Sequence, residues 1–187
     1  MNTHFEVLFI GGGNAGLSAS AHLLLQKPNL KVGIIEPSSK HYYQPAWTLV
    51  GGGVYDIKDT EREERDYIPK GATWMQEYAQ TFNPENNSVT TKEGNTYTYD
   101  YLVVCPGIQL NWSAIKGLPE TLGKNGVTSN YSFKYAPYTF EILKNFKGGN
   151  ILFHSPHTPV KCGGAPQKIM YLAADYLRKH GLLEKSN

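Results

Sequence analysis

The triplet Gly11-x-Gly13-x-x-Gly16 stands between a short apolar run, Phe5 to Ile10, and a stretch with helical spacing. No other feature limits so strongly what this chain can fold into. Each glycine answers a mechanical need: Gly11 permits a tight turn, Gly13 lets backbone approach a pyrophosphate, and Gly16 lets helix and strand pack closely. Phe5 to Ile10 has the composition of a strand covered on both faces. Ala15 to Leu25 reads as a helix whose small residues Ala15, Ala19 and Ser20 let it lie close to a sheet. Pro28 and Asn29 end it, and Lys31 to Ile35 forms a second strand closing on Glu36. A strand, glycine turn, helix and strand within about thirty residues, with an acid about twenty residues beyond the glycines, is a Rossmann building block. The expected fold class is therefore α/β. The helix N-terminus offers oriented N–H groups to phosphates, and Glu36 can accept hydrogen bonds from the ribose hydroxyls of an adenine nucleotide.

The rest of the chain supplies further elements. Pro37 to Lys70 is a long connection that holds Tyr42, Tyr43, Pro45, Trp47 and the run Gly51 to Gly53. Connections of that length are functional or disordered; the aromatics argue for function, while the charged stretch Asp59 to Asp66 reads as an exposed, mobile loop. A strand is predicted at Thr73 to Tyr78, a hairpin from Ser88–Thr91 and Thr96–Tyr99, and a buried strand at Tyr101 to Val104 stopped by Pro106 and Gly107. Turn formers between Gly117 and Ser132 mark a domain boundary, with residues 1–116 as the first domain and 117–187 as the opening of a second Rossmann-type domain. In that second part Tyr138 to Phe146 predicts a helix and Asn150 to His154 a strand. Gln167 to Lys179 predicts a further helix, with Ile169, Leu172, Ala173, Tyr176 and Leu177 on its core face.

Composition removes several function classes. The net charge is only +2, and basic residues alternate with acidic ones, as in Glu61-Arg62-Glu63-Glu64-Arg65. No basic stripe is available for a nucleic-acid backbone, so nucleic acid is not an expected partner. Two cysteines, Cys105 and Cys162, are too few for a disulfide scaffold. His154, His157 and Cys162 lie close in sequence, but their spacing matches no zinc pattern, and no metal site is expected. No apolar run approaches membrane-spanning length, and Met1 stands directly before the first strand. The expectation is an intracellular protein, cytoplasmic or peripheral on the cytoplasmic membrane face.

The glycine triplet alone does not separate FAD from NAD. Tyr99-Asp100-Tyr101-Leu102-Val103-Val104-Cys105-Pro106-Gly107 resembles the second signature of flavoproteins with two dinucleotide-binding domains, with Cys105-Pro106 where that family carries Ala-Thr. His41-Tyr42-Tyr43-Gln44-Pro45 stands where such flavoproteins bring the chain beside the isoalloxazine ring. Longer blocks are more specific: Tyr43-Gln44-Pro45-x-Trp47-Thr48-Leu49-Val50-Gly51, Gly107-Ile108-Gln109-Leu110, Lys116-Gly117-Leu118-Pro119-Glu120, and Thr158-Pro159-Val160-Lys161-Cys162-x-Gly164-Ala165-Pro166-Gln167-Lys168 running on to Leu172. Along essentially the whole chain these resemble the sulfide:quinone oxidoreductase family, in the branch that includes the mitochondrial enzyme. The resemblance implies FAD as cofactor and sulfide and quinone as substrates. It implies that FAD is held by the turn Gly11, Gly12, Gly13, Asn14, Ala15 and Gly16, by Glu36, by Gln44 with Pro45, by the backbone of Ala79 and at Gly107. It also implies that Cys162 is one of two redox cysteines.

Cys162 has a chemical case of its own. It precedes a helix that Pro166 is suited to start, and Lys161 adjoins it; a cationic neighbour and a helix N-terminus favour thiolate. The alternative is a small buried apolar cysteine, which is the reading adopted for Cys105 at its strand end.

The resemblance also implies parts this sequence does not hold: a second redox cysteine, a returning segment that completes the FAD domain, and a carboxy-terminal part that meets membrane and quinone. The expectation for an isolated 187-residue chain is weak or absent sulfide:quinone turnover. A complementary half would then be needed, and membrane contact would come through that half. Two other readings stay open: another flavin oxidoreductase such as an NADH:quinone dehydrogenase, and a non-catalytic FAD-binding module.

Overall fold

A computed structural model describes residues 3–155 and 161–187. In chain order the elements are β1 Thr3–Ile10, α1 Asn14–Gln26, β2 Val32–Ile35, β3 Lys40–Tyr42, α2 Trp47–Gly51, β4 Glu61–Glu63, β5 Ala72–Met75, β6 Ala79–Asn83, β7 Ser88–Thr91, β8 Thr96–Val104, α3 Leu118–Thr121, α4 Ala136–Asn145 and α5 Ala165–Lys179. They form two compact units, one of residues up to 42 with 61–107, the other of 43–60 with 108–187. Packing thus assigns the segment 43–60 to the second unit. Compactness and the 1–116 and 117–187 domains expected from the sequence answer different questions.

The first unit is built on a six-stranded sheet in the order β5-β2-β1-β8-β7-β6. The four strands β5, β2, β1 and β8 are parallel, and β7 and β6 continue antiparallel. From β1 the chain crosses to β2 on one side and later returns to β8 on the other. That makes the carboxyl end of β1 a switch point, the place where open α/β sheets form a ligand crevice. The apolar run in β1 follows from burial on both faces. Val7 and Phe9 pack with Leu17 and Leu24 of α1, while Leu8 and Ile10 join Ile35, Met75, Val89, Tyr97 and Tyr99.

Three expectations change here. The hairpin strand at 96–99 and the strand at 101–104 are one continuous strand, β8, because its first residues pair with β7 while its whole length pairs with β1. The strand expected at 73–78 stops at Met75 as β5, since the chain then leaves the parallel sheet and residues 76–78 lead into the antiparallel strand β6. The charged stretch 59–66 is exposed at most positions but is not an irregular loop. Glu61–Glu63 pairs with Lys40–Tyr42 as a two-stranded ribbon, and Thr60 and Glu64 are fully buried. Lys40 holds the ribbon's surface by bonding Glu63 at 2.5 Å and Glu61 at 3.1 Å.

The second unit is helical. Trp47 and Val50 of α2 pack with Ala136 of α4, and α5 buries Ile169, Ala173 and Leu177 at a spacing of four. The run Gly51–Gly53 follows from packing: a Cβ at Gly52 would lie 2.8 Å from the Leu172 side chain. The strand expected at Asn150 to His154 does not form. Ile151 donates one backbone bond to Asn187 at 3.0 Å and Leu152 is 92% exposed. Among the described residues this unit offers that segment no neighbouring strand, and a lone strand cannot satisfy its own backbone.

Candidate functional site

The glycine turn leaves β1 and is fixed by backbone on both sides. Gly11 N–H donates to the Ile35 carbonyl at 2.9 Å, and Cys105 N–H donates to the Ile10 carbonyl at 2.8 Å. Gly11 has φ +108, and a Cβ there would collide with the backbone of Cys105 and Pro106. A Cβ on Gly16 would run into the Gly11 carbonyl. Gly13, by contrast, faces open space and caps α1 with no side-chain cap and no acid in the first turn. The N–H groups of Asn14, Ala15 and Gly16 therefore have no intrahelical acceptor, and no side chain of the first turn offsets the positive end of this thirteen-residue helix. A diphosphate fits such a cradle in charge and in donor number.

Glu36 reaches that turn. One carboxylate oxygen accepts from Gly12 N–H at 2.8 Å and the other from Ser38 N–H at 2.8 Å, so the acid is aimed and not free to rotate. Each oxygen keeps a further acceptor position for a ribose hydroxyl. Trp74 fixes the same residue from the sheet, donating its indole N–H to the Glu36 carbonyl at 2.8 Å.

Behind the turn lies a residue that sequence reasoning missed. Glu64 is 1% exposed, and its Oε1 lies where a Cβ on Gly12 would come within 2.5 Å. His41 Nδ1 sits 3.2 Å from its Oε2, and the His41 ring stacks on Tyr67. Oε1 is buried and has no hydrogen-bond partner among the described residues. Burial first, and then the charge of Glu36, push the Glu64 carboxyl up to about 7. No local signal marks it, because only the pairing of β4 with β3 turns it inward.

Cys105 sits beside the same turn, its sulfur 3.6 Å from the Gly11 carbonyl. Burial, then the charge of Glu36, raise its pKa, which keeps the thiol protonated and a poor nucleophile. Gly107 follows β8 with φ +76 and open space beside it, and Ala79 opens β6 with its side chain against the core. Among the described residues neither is hydrogen-bonded to the glycine turn.

Gln44, Pro45 and Cys162 belong to the second unit. Gln44 and Pro45 open a single turn of 3-10 helix before α2. Lys161 donates to Gln44 Oε1 at 2.6 Å, so the residue before Cys162 is tied to the aromatic segment. Tyr131 O–H donates to the Cys162 carbonyl at 3.4 Å. Cys162 is exposed, three residues before α5 starts, with Pro166 in the first helical turn. His157 and Thr158 to Val160, part of the sequence block around this cysteine, lie outside the described residues. Among the described residues no group of three or more His, Cys, Asp or Glu side chains could hold a metal ion, and no helix is long and apolar enough to cross a membrane.

Residues 5–139 match the family model described as pyridine nucleotide-disulphide oxidoreductase. The chain belongs to this family. Within it, similarity is high to mitochondrial sulfide:quinone oxidoreductases. Identity is 54% over 182 residues with that of Dictyostelium discoideum, covering 96% of this chain and 40% of the relative. With that of Mus musculus it is 44% over 184 residues, covering 98% and 41%. Among solved structures, the sulfide:quinone oxidoreductase from Aquifex aeolicus superposes with a TM-score of 0.74 at 25% identity, over 98% of this chain and 42% of that one. The chain thus spans about two fifths of the length of these relatives.

Proposed function

We propose that this chain is the FAD-binding part of a sulfide:quinone oxidoreductase. The observation that carries the reading is the coincidence of two things in one chain. A built dinucleotide cradle, Gly11–Gly16 with Glu36 locked onto Gly12, stands in a sequence 54% identical to a sulfide:quinone oxidoreductase over nearly its whole length. FAD, when bound, supplies the two-electron acceptor of the reaction.

The chain's own residues do the rest. The N–H groups at the start of α1 hold the diphosphate, and Glu36 accepts from the adenosine ribose. Gln44, held by Lys161, keeps the segment around Pro45 and the loop of Cys162 in one arrangement. The exposed Cys162 thiol is the group that meets sulfur species. Ala79 and Gly107 are assigned to the nucleotide site on family resemblance. Sulfide and quinone are the proposed substrates. Because Cys105 is held as a protonated thiol against Gly11, a second redox cysteine and the contact with membrane and quinone are assigned to a complementary segment.

The test is an absorption spectrum of purified protein with and without added FAD, followed by anaerobic sulfide. A yellow protein bleached by sulfide, with bleaching lost in Cys162→Ser, supports the reading. A protein that takes up no FAD removes it.

A further inference from the structure

We propose that Glu64, paired with His41, is a positioning residue of the nucleotide cradle that makes nucleotide binding proton-linked. The inference rests on the FAD reading above. It starts from an atom that nothing else explains: a carboxylate oxygen fully buried, without a partner among the described residues, pressed against Gly12 at the turn that would carry the diphosphate.

The groups that face Glu64 define what it can do. His41 of β3 sits on Oε2 at 3.2 Å and is itself stacked on Tyr67. Glu36, at the end of β2, adds a second carboxylate whose Oε2 is spent on Gly12 N–H. A Cβ at Gly12 would meet the Glu64 carboxyl oxygen and the Glu36 methylenes, so both acids pack against the same glycine. Two carboxylates against one glycine do not both ionise readily, and Glu64 is the fully buried one with an oxygen that has no donor among the described residues, whereas Glu36 has a backbone donor on each oxygen. Glu64 therefore carries the proton, with His41 as its hydrogen-bond partner. A neutral Glu64 supports the turn and leaves Glu36 free to act as the sole anion there. An ionised Glu64 repels Glu36 and places a second negative charge behind a diphosphate site.

With its pKa near 7 in the free protein, Glu64 loses its proton as pH rises through neutrality. A bound diphosphate brings further negative charge and removes water, which raises that pKa again. Nucleotide binding then retains a proton that the free protein has given up. The dissociation constant of FAD is flat below about pH 6.5 and rises above about pH 7, by at most tenfold per pH unit. FAD itself has no group that titrates in this range.

The experiment is FAD binding followed by flavin fluorescence from about pH 6 to pH 8.5, on wild type and Glu64→Gln. The amide is a neutral isostere of the protonated acid. Expected are a rising dissociation constant for wild type and a flat profile for Glu64→Gln, which keeps the low-pH affinity at high pH. A wild-type profile that is flat, or a Glu64→Gln profile that rises in parallel, overturns the inference. Should Glu64→Gln not fold, calorimetry on wild type at about pH 7.5 in two buffers of different ionisation enthalpy decides: uptake of a fraction of a proton is expected, and no uptake overturns it. Absence of FAD binding at every pH overturns the cofactor reading and this inference with it. Binding without pH dependence overturns this inference alone.

Discussion

The glycine turn of the first unit and the cysteine loop of the second are held by different physics. Around Gly11 the constraints are backbone bonds from Gly11 to Ile35 and from Cys105 to Ile10, a half-buried acid locked at both oxygens, and side-chain space that only glycine leaves open. Around Cys162, among the described residues, they are three bonds, from Lys161 to Gln44 and from the Tyr131 hydroxyl and the Ala165 N–H to the Cys162 carbonyl, with Gln44, Lys161 and Cys162 exposed. A site that binds a large anion by backbone donors needs such rigidity, because a misplaced N–H cannot adjust. A cysteine that must accept and release sulfur species needs access, and exposure provides it.

Substitutions in the two regions should therefore differ in effect by several-fold. The largest is expected at Gly16→Val, whose side chain would overlap the Gly11 carbonyl. A loss of at least about 3 kcal/mol in denaturant unfolding is predicted. A loss below about 1 kcal/mol would mean that the turn yields, and that the contrast with the cysteine loop is weaker than drawn.

Glu64 sharpens the comparison through pH. Its folded pKa, about 7, lies above the value near 4.5 it takes when unfolded, so the folded state binds more protons between those limits. Stability then falls as pH rises from about 4.5 to about 7 and levels beyond, by an amount on the order of 3 kcal/mol. Unfolding of Glu64→Gln measured across that window should lack this fall; an identical slope in wild type and variant would remove the buried acid from the account.

Trp74→Phe keeps the ring in the sheet but removes its bond to the Glu36 carbonyl. About 1 kcal/mol of stability should go with it, with a measurable weakening of FAD binding because Glu36 loses an anchor. Lys161→Ala, in the cysteine loop, is expected to change stability by less than about 0.5 kcal/mol, since both partners of its bond are exposed. A thermal shift as large as that of Trp74→Phe would show that the loop is as tightly built as the turn.

The contrast also decides what the sequence could tell. Gly11, Gly13, Gly16 and Glu36 are legible because a turn, a helix start and a strand end are local, and each needs a residue type that stands out. The packing of α5 was legible for the same reason, through Ile169, Ala173 and Leu177 at helical spacing. Glu64 was not, since a glutamate among Arg62, Glu63 and Arg65 reads as a solvated face until β4 pairs with β3 and turns one side chain inward. Gly51 to Gly53 read as part of a functional connection, whereas Gly52 lies against Leu172, a partner about 120 residues away that no local pattern names. The segment 150–154 has the composition of a strand, and what it lacks is a neighbour, which composition does not report.

Glu36, aimed by Gly12 and Ser38, is proposed to hold the nucleotide, and Cys162 to have no part in holding it. The most direct test of this assignment is the dissociation constant of FAD at about pH 6.5 for wild type, Glu36→Ala and Cys162→Ser. Loss of a charge-assisted hydrogen bond predicts affinity about ten- to a hundred-fold weaker in Glu36→Ala, with Cys162→Ser unchanged. Equal affinity in wild type and Glu36→Ala, or a loss confined to Cys162→Ser, would contradict it.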